Sequence, residues 1–214
     1  MWPKTDDTEK LLDGVREGDP DARDRLFDRH RPAVRRMIDL RMDRVLERRV
    51  DASDIVQDVL IEANRRLTDY LANPIMPFHL WLRQMAKDRL IDAHRRHRVA
   101  ARRSMDREQS LATAAKNDEQ SAVDLAGQLS DGNMTPAAAA TWRELQRRFA
   151  DACAQLEPQD QEIISMRHFE RLSNSEVATA LDLTPQAASM RHLRAMRRLR
   201  VYLQDEERNL DGEE

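Results

Sequence analysis

One cysteine, Cys153, leaves this chain no partner for an internal disulfide and no second thiol for a zinc or redox pair, which fits a reducing compartment. Only five glycines occur and aromatic residues make up 4%, a shortage that argues against sheets and for short amphipathic helices. An excess of positive charge is also missing. Thirty-six Lys and Arg stand against 39 Asp and Glu, a net charge of −3, so any attraction to nucleic acid must come from local patches. No apolar run approaches the roughly 20 residues that span a bilayer, and MWPKTDDTEK lacks the basic start and apolar stretch of a signal peptide. The expectation is a cytoplasmic protein without membrane insertion. Catalytic machinery is absent too: there is no Gly-rich phosphate loop and no nucleophile with a positioned base, so neither an enzyme nor a cofactor is expected.

What remains is 40% hydrophobic and 35% charged residues in helical periodicity, an all-α composition. A length of 214 residues suits one ordinary domain or two small ones. Residues 10–97 read as consecutive helices broken at Gly18 to Pro20, near Arg48 to Asp51, and at Asn73 to Pro77. After Arg98 the chain turns polar and Ala-rich, with little apolar periodicity. The spacing returns at Trp142, continues through Leu203, and gives way to the acidic tail DEERNLDGEE. The expected organisation is a helical domain over 1–98, a flexible linker over 99–140, and a second helical domain over 141–214.

In the first domain a helix starts at Asp51, an N-cap type, with Asp54 near the positive end of the macrodipole. Ala52, Ile55, Val56, Val59, Leu60, Ala63 and Leu67 follow a buried stripe. Asp54, Gln57, Asp58, Ile61, Glu62 and Arg65 are left outward. Acidic residues facing water are ordinary solvation, but Ile61 among them supplies the apolar centre that a docking surface needs.

The stretch PFHLWLRQMAKDRLIDAHRRH, Pro77 to His97, joins aromatics to cations. Phe78, Leu82, Met85 and Ala86 suit a core. Trp81, at the edge of a basic surface, suits either packing or a stacking platform for an unpaired base. Arg83, Lys87, His94, Arg95, Arg96 and Arg98 are expected on and beyond the outer face, where phosphates would release counterions. His94 and His97 lack a third ligand nearby, and no metal site is expected.

In the second domain LSNSEVATALDLTPQAASMRHLRAMRRLR, Leu172 to Arg200, carries a capping box at Ser173 and Glu176 and a helix restart at Thr184-Pro185. Two short helices around a tight turn, the second basic, describe a helix-turn-helix. Gln186, Ser189, Met190, Leu193 and Arg194 are its expected outward residues. Gln186 and Arg194 suit base edges, while Arg191, Arg197 and Arg198 suit phosphates.

The ordered set of GDPDARDRLFDRHRPAVRRM, DASDIVQDVLIEANRRL, PFHLWLRQMAKDRLIDAHRRH and the segment from Leu156 to Arg200 resembles the sigma-70 family of RNA polymerase initiation factors, in its extracytoplasmic-function (ECF) group. The resemblance implies two helical domains, the first binding core polymerase and opening the −10 promoter element, the second reading the −35 element. It implies that Asp54, Gln57, Asp58 and Ile61 grip the clamp helices of the polymerase's largest subunit. The loop and helix from Tyr70 to His97 would hold an unstacked −10 base and its strand, with Trp81, Arg83, Lys87, Asp88, His94, Arg95 and Arg96 involved. Gln186, Ser189, Met190, Arg191, Leu193, Arg194, Arg197 and Arg198 would face −35 DNA. The flap of the second-largest subunit and an anti-sigma factor are further implied partners. Departures from the family pattern are Asp88 where Asn is common, Asp182 at a usual turn glycine, Ser189-Met190 in place of a basic-Ser pair, and two prolines in NPIMP. The alternatives are a stand-alone helix-turn-helix regulator and a helical protein-interaction adaptor.

Overall fold

The computed structural model describes residues 2–42, 44–105, 148–149 and 151–211, and the chain divides into two compact units, Met1–Ala115 and Lys116–Glu214. Every regular element among the described residues is helical, as the composition predicts. Of the linker expected over 99–140, residues 106–140 lie outside the described residues, and 99–105 continue a helix of the first unit. The last three residues of the acidic tail, 212–214, also lie outside them.

In the first unit, α1 (Thr5–Glu17) ends at Gly18, whose φ of 84° is left-handed. The Gly18 and Asp19 amides donate back to the carbonyls of Val15 (3.3 Å) and Gly14 (2.9 Å), closing the helix as glycine allows. A β-carbon on Gly14 would lie 3.0 Å from that of Ala22, so α1 and α2 (Ala22–Asp39) approach closely there. A short α3 (Arg44–Glu47) leads to α4 (Ala52–Ala72) and α5 (Phe78–Met105). Asp51 caps α4 by accepting from the Ser53 amide at 2.7 Å. That bond, followed by the Ser53 hydroxyl, holds the Asp51 carboxyl below its ordinary range.

The α4 stripe read from spacing is buried in full, and Tyr70 extends it. It packs with Leu26, Phe27, Val34, Met37 and Ile38 of α2 and with Phe78, Leu82, Met85, Ala86 and Leu90 of α5 in one core. Each fully buried aliphatic or aromatic side chain there contributes about 1.5–3 kcal/mol. Helix α5 packs against α2, α3 and α4. Burial along it therefore wraps round the helix: His79, Leu80 and Arg83 are buried as well as the Phe78, Leu82 and Met85 side.

The second unit contains α6 (Pro158–Ile164), a π-helical turn (Ser165–Phe169), α7 (Asn174–Ala180) and α8 (Pro185–Asp211). Both halves of the capping box form: the Glu176 amide donates to Ser173 Oγ at 3.2 Å, and the Ser173 amide to Glu176 Oε2 at 2.6 Å. Asp182 sits in the left-handed region at φ 52°, a position that Asp tolerates better than most residues. Thr184 Oγ1 then accepts from the Ala187 amide at 3.1 Å and restarts the chain as α8. Asn174 Nδ2 donates to the Pro185 carbonyl at 2.8 Å, bracing the start of α7 against the start of α8. Ile163, Ile164, Met166, Val177, Ala178, Ala188, Ala195 and Leu199 are buried.

Candidate functional surfaces

Helix α4 shows Asp54, Gln57 and Asp58 to solvent, and Ile61 among them is 51% exposed. Packing explains the pattern, since the intervening Ile55, Val56, Val59 and Leu60 lie in the core. Beside this face Glu62 accepts from Arg66 at 2.6 Å on its own helix and pairs with Arg89 of α5 at 3.5 Å. The Arg66 contact follows the favourable Glu-to-Arg spacing of one helical turn. The bridge to Arg89 crosses helices and fixes the acidic face relative to α5.

The aromatic end of α5 is built from below. Tyr70 is buried at the end of α4, where its hydroxyl donates to the Met76 carbonyl at 2.9 Å and so pins the Asn73 to Pro77 loop. Its ring stacks on Trp81, with centroids 4.6 Å apart and planes 29° apart, while Phe78 meets Tyr70 edge-on at 5.5 Å. Burial pushes the Tyr70 hydroxyl up to about 12, which keeps it a neutral donor. Trp81 is half-buried, with Tyr70 beneath it. Phe78 belongs to the core, as its spacing predicts.

The structure separates the cations and acids expected alongside. Arg95, Arg96 and Asp88 are exposed, and Lys87 and His94 are half-buried. Asp88 accepts from Gln84 at 3.1 Å, and Arg96 Nε donates to the Asp92 backbone carbonyl at 3.3 Å. The side chain of Arg98 lies outside the described residues. Arg83 overturns its outward expectation. It is 1% exposed, because a helix covered by neighbours on several sides has no outer face at that level.

On α8, Gln186, Ser189, Met190, Leu193, Arg194 and Arg197 are exposed, and Arg191 is half-buried. Ala188, Ala195 and Leu199 supply the opposite, buried side. Arg198, expected to suit phosphates, is exposed and also ion-paired with the nearly buried carboxylate of Asp160. A carboxylate taken out of water needs such a cation. His192 faces His168 through Nε2 atoms 2.9 Å apart, and burial, then His168, then Arg167 lower its pKa.

Spacing along one helix cannot show several of these contacts. Tyr70 to Met76, Glu62 to Arg89, Asp160 to Arg198 and His168 to His192 all depend on loop path or packing, whereas Glu62 to Arg66 was readable. Burial also pushes the Cys153 thiol up to about 12, away from thiolate chemistry. Among the described residues no group of three His, Cys, Asp or Glu side chains is placed to hold a metal, and no helix is long and apolar enough to cross a membrane.

Comparison with known proteins addresses the same architecture. The family model described as ECF sigma factor matches residues 5–209. No curated protein sequence matches the chain. Among solved structures, CnrH, described in complex with the cytosolic domain of CnrY, is similar with a TM-score of 0.55 and 20% identity, over 91% of this chain and 96% of that one. That likeness speaks for the all-helical fold. The family match extends from α1 through the capped helix-turn-helix and its basic helix, and the chain therefore belongs to the ECF sigma factors, DNA-binding regulatory subunits of RNA polymerase.

Proposed function

We propose that this sigma subunit directs polymerase to promoters through separate surfaces: α4 docks on core enzyme, α5 holds the opened −10 strand, and α8 reads the −35 duplex. The observation that carries the reading is the helix-turn-helix. Its first helix is capped at both reciprocal bonds, its turn tolerates Asp182, and its second helix turns Gln186, Ser189 and Arg194 to solvent. Exposed polar side chains near the start of such a helix suit base edges in a major groove.

The α4 face supports core binding because Ile61 gives an apolar centre to a rim of Asp54, Gln57 and Asp58. The clamp helices of the largest subunit are the proposed contact, with the flap of the second-largest subunit engaging the second domain. On α5, Trp81 over Tyr70 offers a partly open ring for an unstacked base, with Arg95 and Arg96 available to its phosphates. Arg83 supports that surface from inside the fold. The proposed domains are 1–98 and 141–214, joined by a linker over 99–140. The chain acts in the cytoplasm and carries out no covalent chemistry. By analogy with CnrH and CnrY, a protein inhibitor is the proposed means of holding it inactive.

The test is transcription in vitro with purified core polymerase and a library of promoter fragments. Selective initiation at fragments sharing two spaced elements is the expected result. A stand-alone regulator would bind its upstream site equally well without polymerase, and an adaptor would show no preference among fragments. Either outcome would overturn the proposal.

A further inference from the structure

Two large apolar side chains project from the water-facing side of α8. Met190 is 44% exposed and Leu193 43%, although Ala188, Ala195 and Leu199 already fill the buried side of the same helix. Neither residue is needed to close the core. Their surroundings are cationic: Arg191, between them in sequence, is half-buried, and Arg194 and Arg197 are exposed on the same helix. This apolar pair inside a guanidinium frame suits a polyanion whose inner surface carries isolated apolar groups.

Duplex DNA has that character. Along the major groove the apolar group on a base-pair edge is the C5-methyl of thymine, among acceptors and donors that lose hydration without compensation against a hydrocarbon. Residues three apart on a helix lie about 4.5 Å apart along its axis, near the base-pair rise of about 3.4 Å, so they reach neighbouring base pairs. Building on the proposed role of α8 as the duplex-reading helix, we infer that Met190 and Leu193 select thymine at two neighbouring base pairs of the upstream element through its methyl groups. Gln186 and Arg194 read polar edges beside them. A G·C pair at either methyl-reading position is rejected, because it would press a donor or acceptor against an apolar side chain.

The test uses the full chain assembled with core polymerase. The preferred upstream duplex is selected from a randomised library, and each thymine is then replaced singly by uracil, which lacks only the methyl. Binding is expected to weaken about fourfold at each of two neighbouring pairs, the equivalent of one buried carbon per methyl. Met190→Ala and Leu193→Ala should each abolish the uracil effect at one pair while leaving preferences elsewhere. The uracil series on the unaltered protein requires no variant to fold, and circular dichroism checks the variants. Indifference to uracil throughout, or a selected element with G·C at those pairs, would overturn the inference while leaving upstream recognition intact. If uracil is neutral and the two variants instead weaken assembly with core polymerase in the absence of DNA, the pair is a protein-docking surface. Failure to select any upstream element would remove the duplex reading and this inference together.

Discussion

Arg198, on the same helix as the exposed Met190 and Leu193, is tied to Asp160 at the start of α6. The Asp160 side chain is 7% exposed and that of Arg198 53%, so a buried anion is held by a partly solvated cation. Removing the cation strands the anion, whereas removing charge from both ends does not. Arg198→Ala is expected to cost about 1–2 kcal/mol, reduced from the value for a fully buried pair because Arg198 meets water. Adding Asp160→Asn should restore part of that loss. Urea unfolding of the two single variants and the double variant measures the coupling; strict additivity would mean that the pair contributes nothing.

Arg83 and Arg95 lie on one helix with opposite surroundings, one inside the fold and one in solvent. Arg83→Ala empties a buried volume and removes a charged group from the interior, at an expected cost of about 3 kcal/mol. Arg95→Ala should leave stability within about 0.5 kcal/mol and weaken only single-strand binding. Thermal melts set beside binding to a −10 oligonucleotide separate the two; equal melting temperatures would return Arg83 to the surface.

His30 is fully buried and its pKa lies at about 4, lowered by burial, then by His79 and Arg29. Thr8 donates its hydroxyl to the Lys4 carbonyl, so His30 Nε2–H donates to Thr8 Oγ1 at 3.1 Å, and Nδ1 has no hydrogen-bond partner among the described residues. The unfolded imidazole takes up a proton near pH 6.5, before the folded one does. Stability from this group is therefore complete above about pH 6.5, falls as pH drops toward 4, and is flat below that. Between about pH 8 and about pH 5 the loss should reach on the order of 2 kcal/mol. Urea midpoints across that range, compared with His30→Gln, test it: the variant should show a flatter profile.

Asp58 is exposed beside Ile61, so reversing its charge should not disturb the α4 core. Asp58→Arg is expected to unfold at the same denaturant concentration as the unaltered chain and to bind core polymerase at least about tenfold more weakly. Co-purification at two salt concentrations reads the effect. Unchanged capture of polymerase would move the docking surface away from α4.

Local rules carried the fold furthest where one helix has one buried side. The α4 stripe from Ala52 to Leu67, the Asp51 cap, the Ser173 and Glu176 box and the Thr184 restart all emerge as read, because each depends on residues within a turn or two. Asp182 was also legible, since a left-handed turn residue lacking glycine leaves few alternatives. The rule failed at Arg83. An outer face inferred from the Phe78, Leu82 and Met85 stripe assumes that nothing covers the other side, and helices α2, α3 and α4 together remove that freedom. The contact of Arg198 with Asp160 was not legible for a related reason, because that anion is 38 residues away in sequence. Whether a cation is available for DNA is a property of packing as much as of charge.

Arg194 and Arg197 are both exposed on α8, three residues apart, yet they are expected to contribute in different ways. Arg194 lies closer to the start of the helix, among the residues proposed to meet base edges, whereas Arg197 lies a turn further on, where phosphates are the expected contact. Arg194→Ala should therefore weaken binding to the upstream element by about 1–3 kcal/mol and relax the preference at one base pair. Arg197→Ala should weaken binding to every sequence alike and reduce the slope of log affinity against log salt by about 1, the signature of one lost phosphate contact. Titrations of the holoenzyme on matched and mismatched duplexes at several salt concentrations distinguish them. A base-reading arginine keeps most of its discrimination as salt rises, while a phosphate-holding one has none to keep, so identical behaviour of the two variants would mean that α8 enters the groove at a different depth.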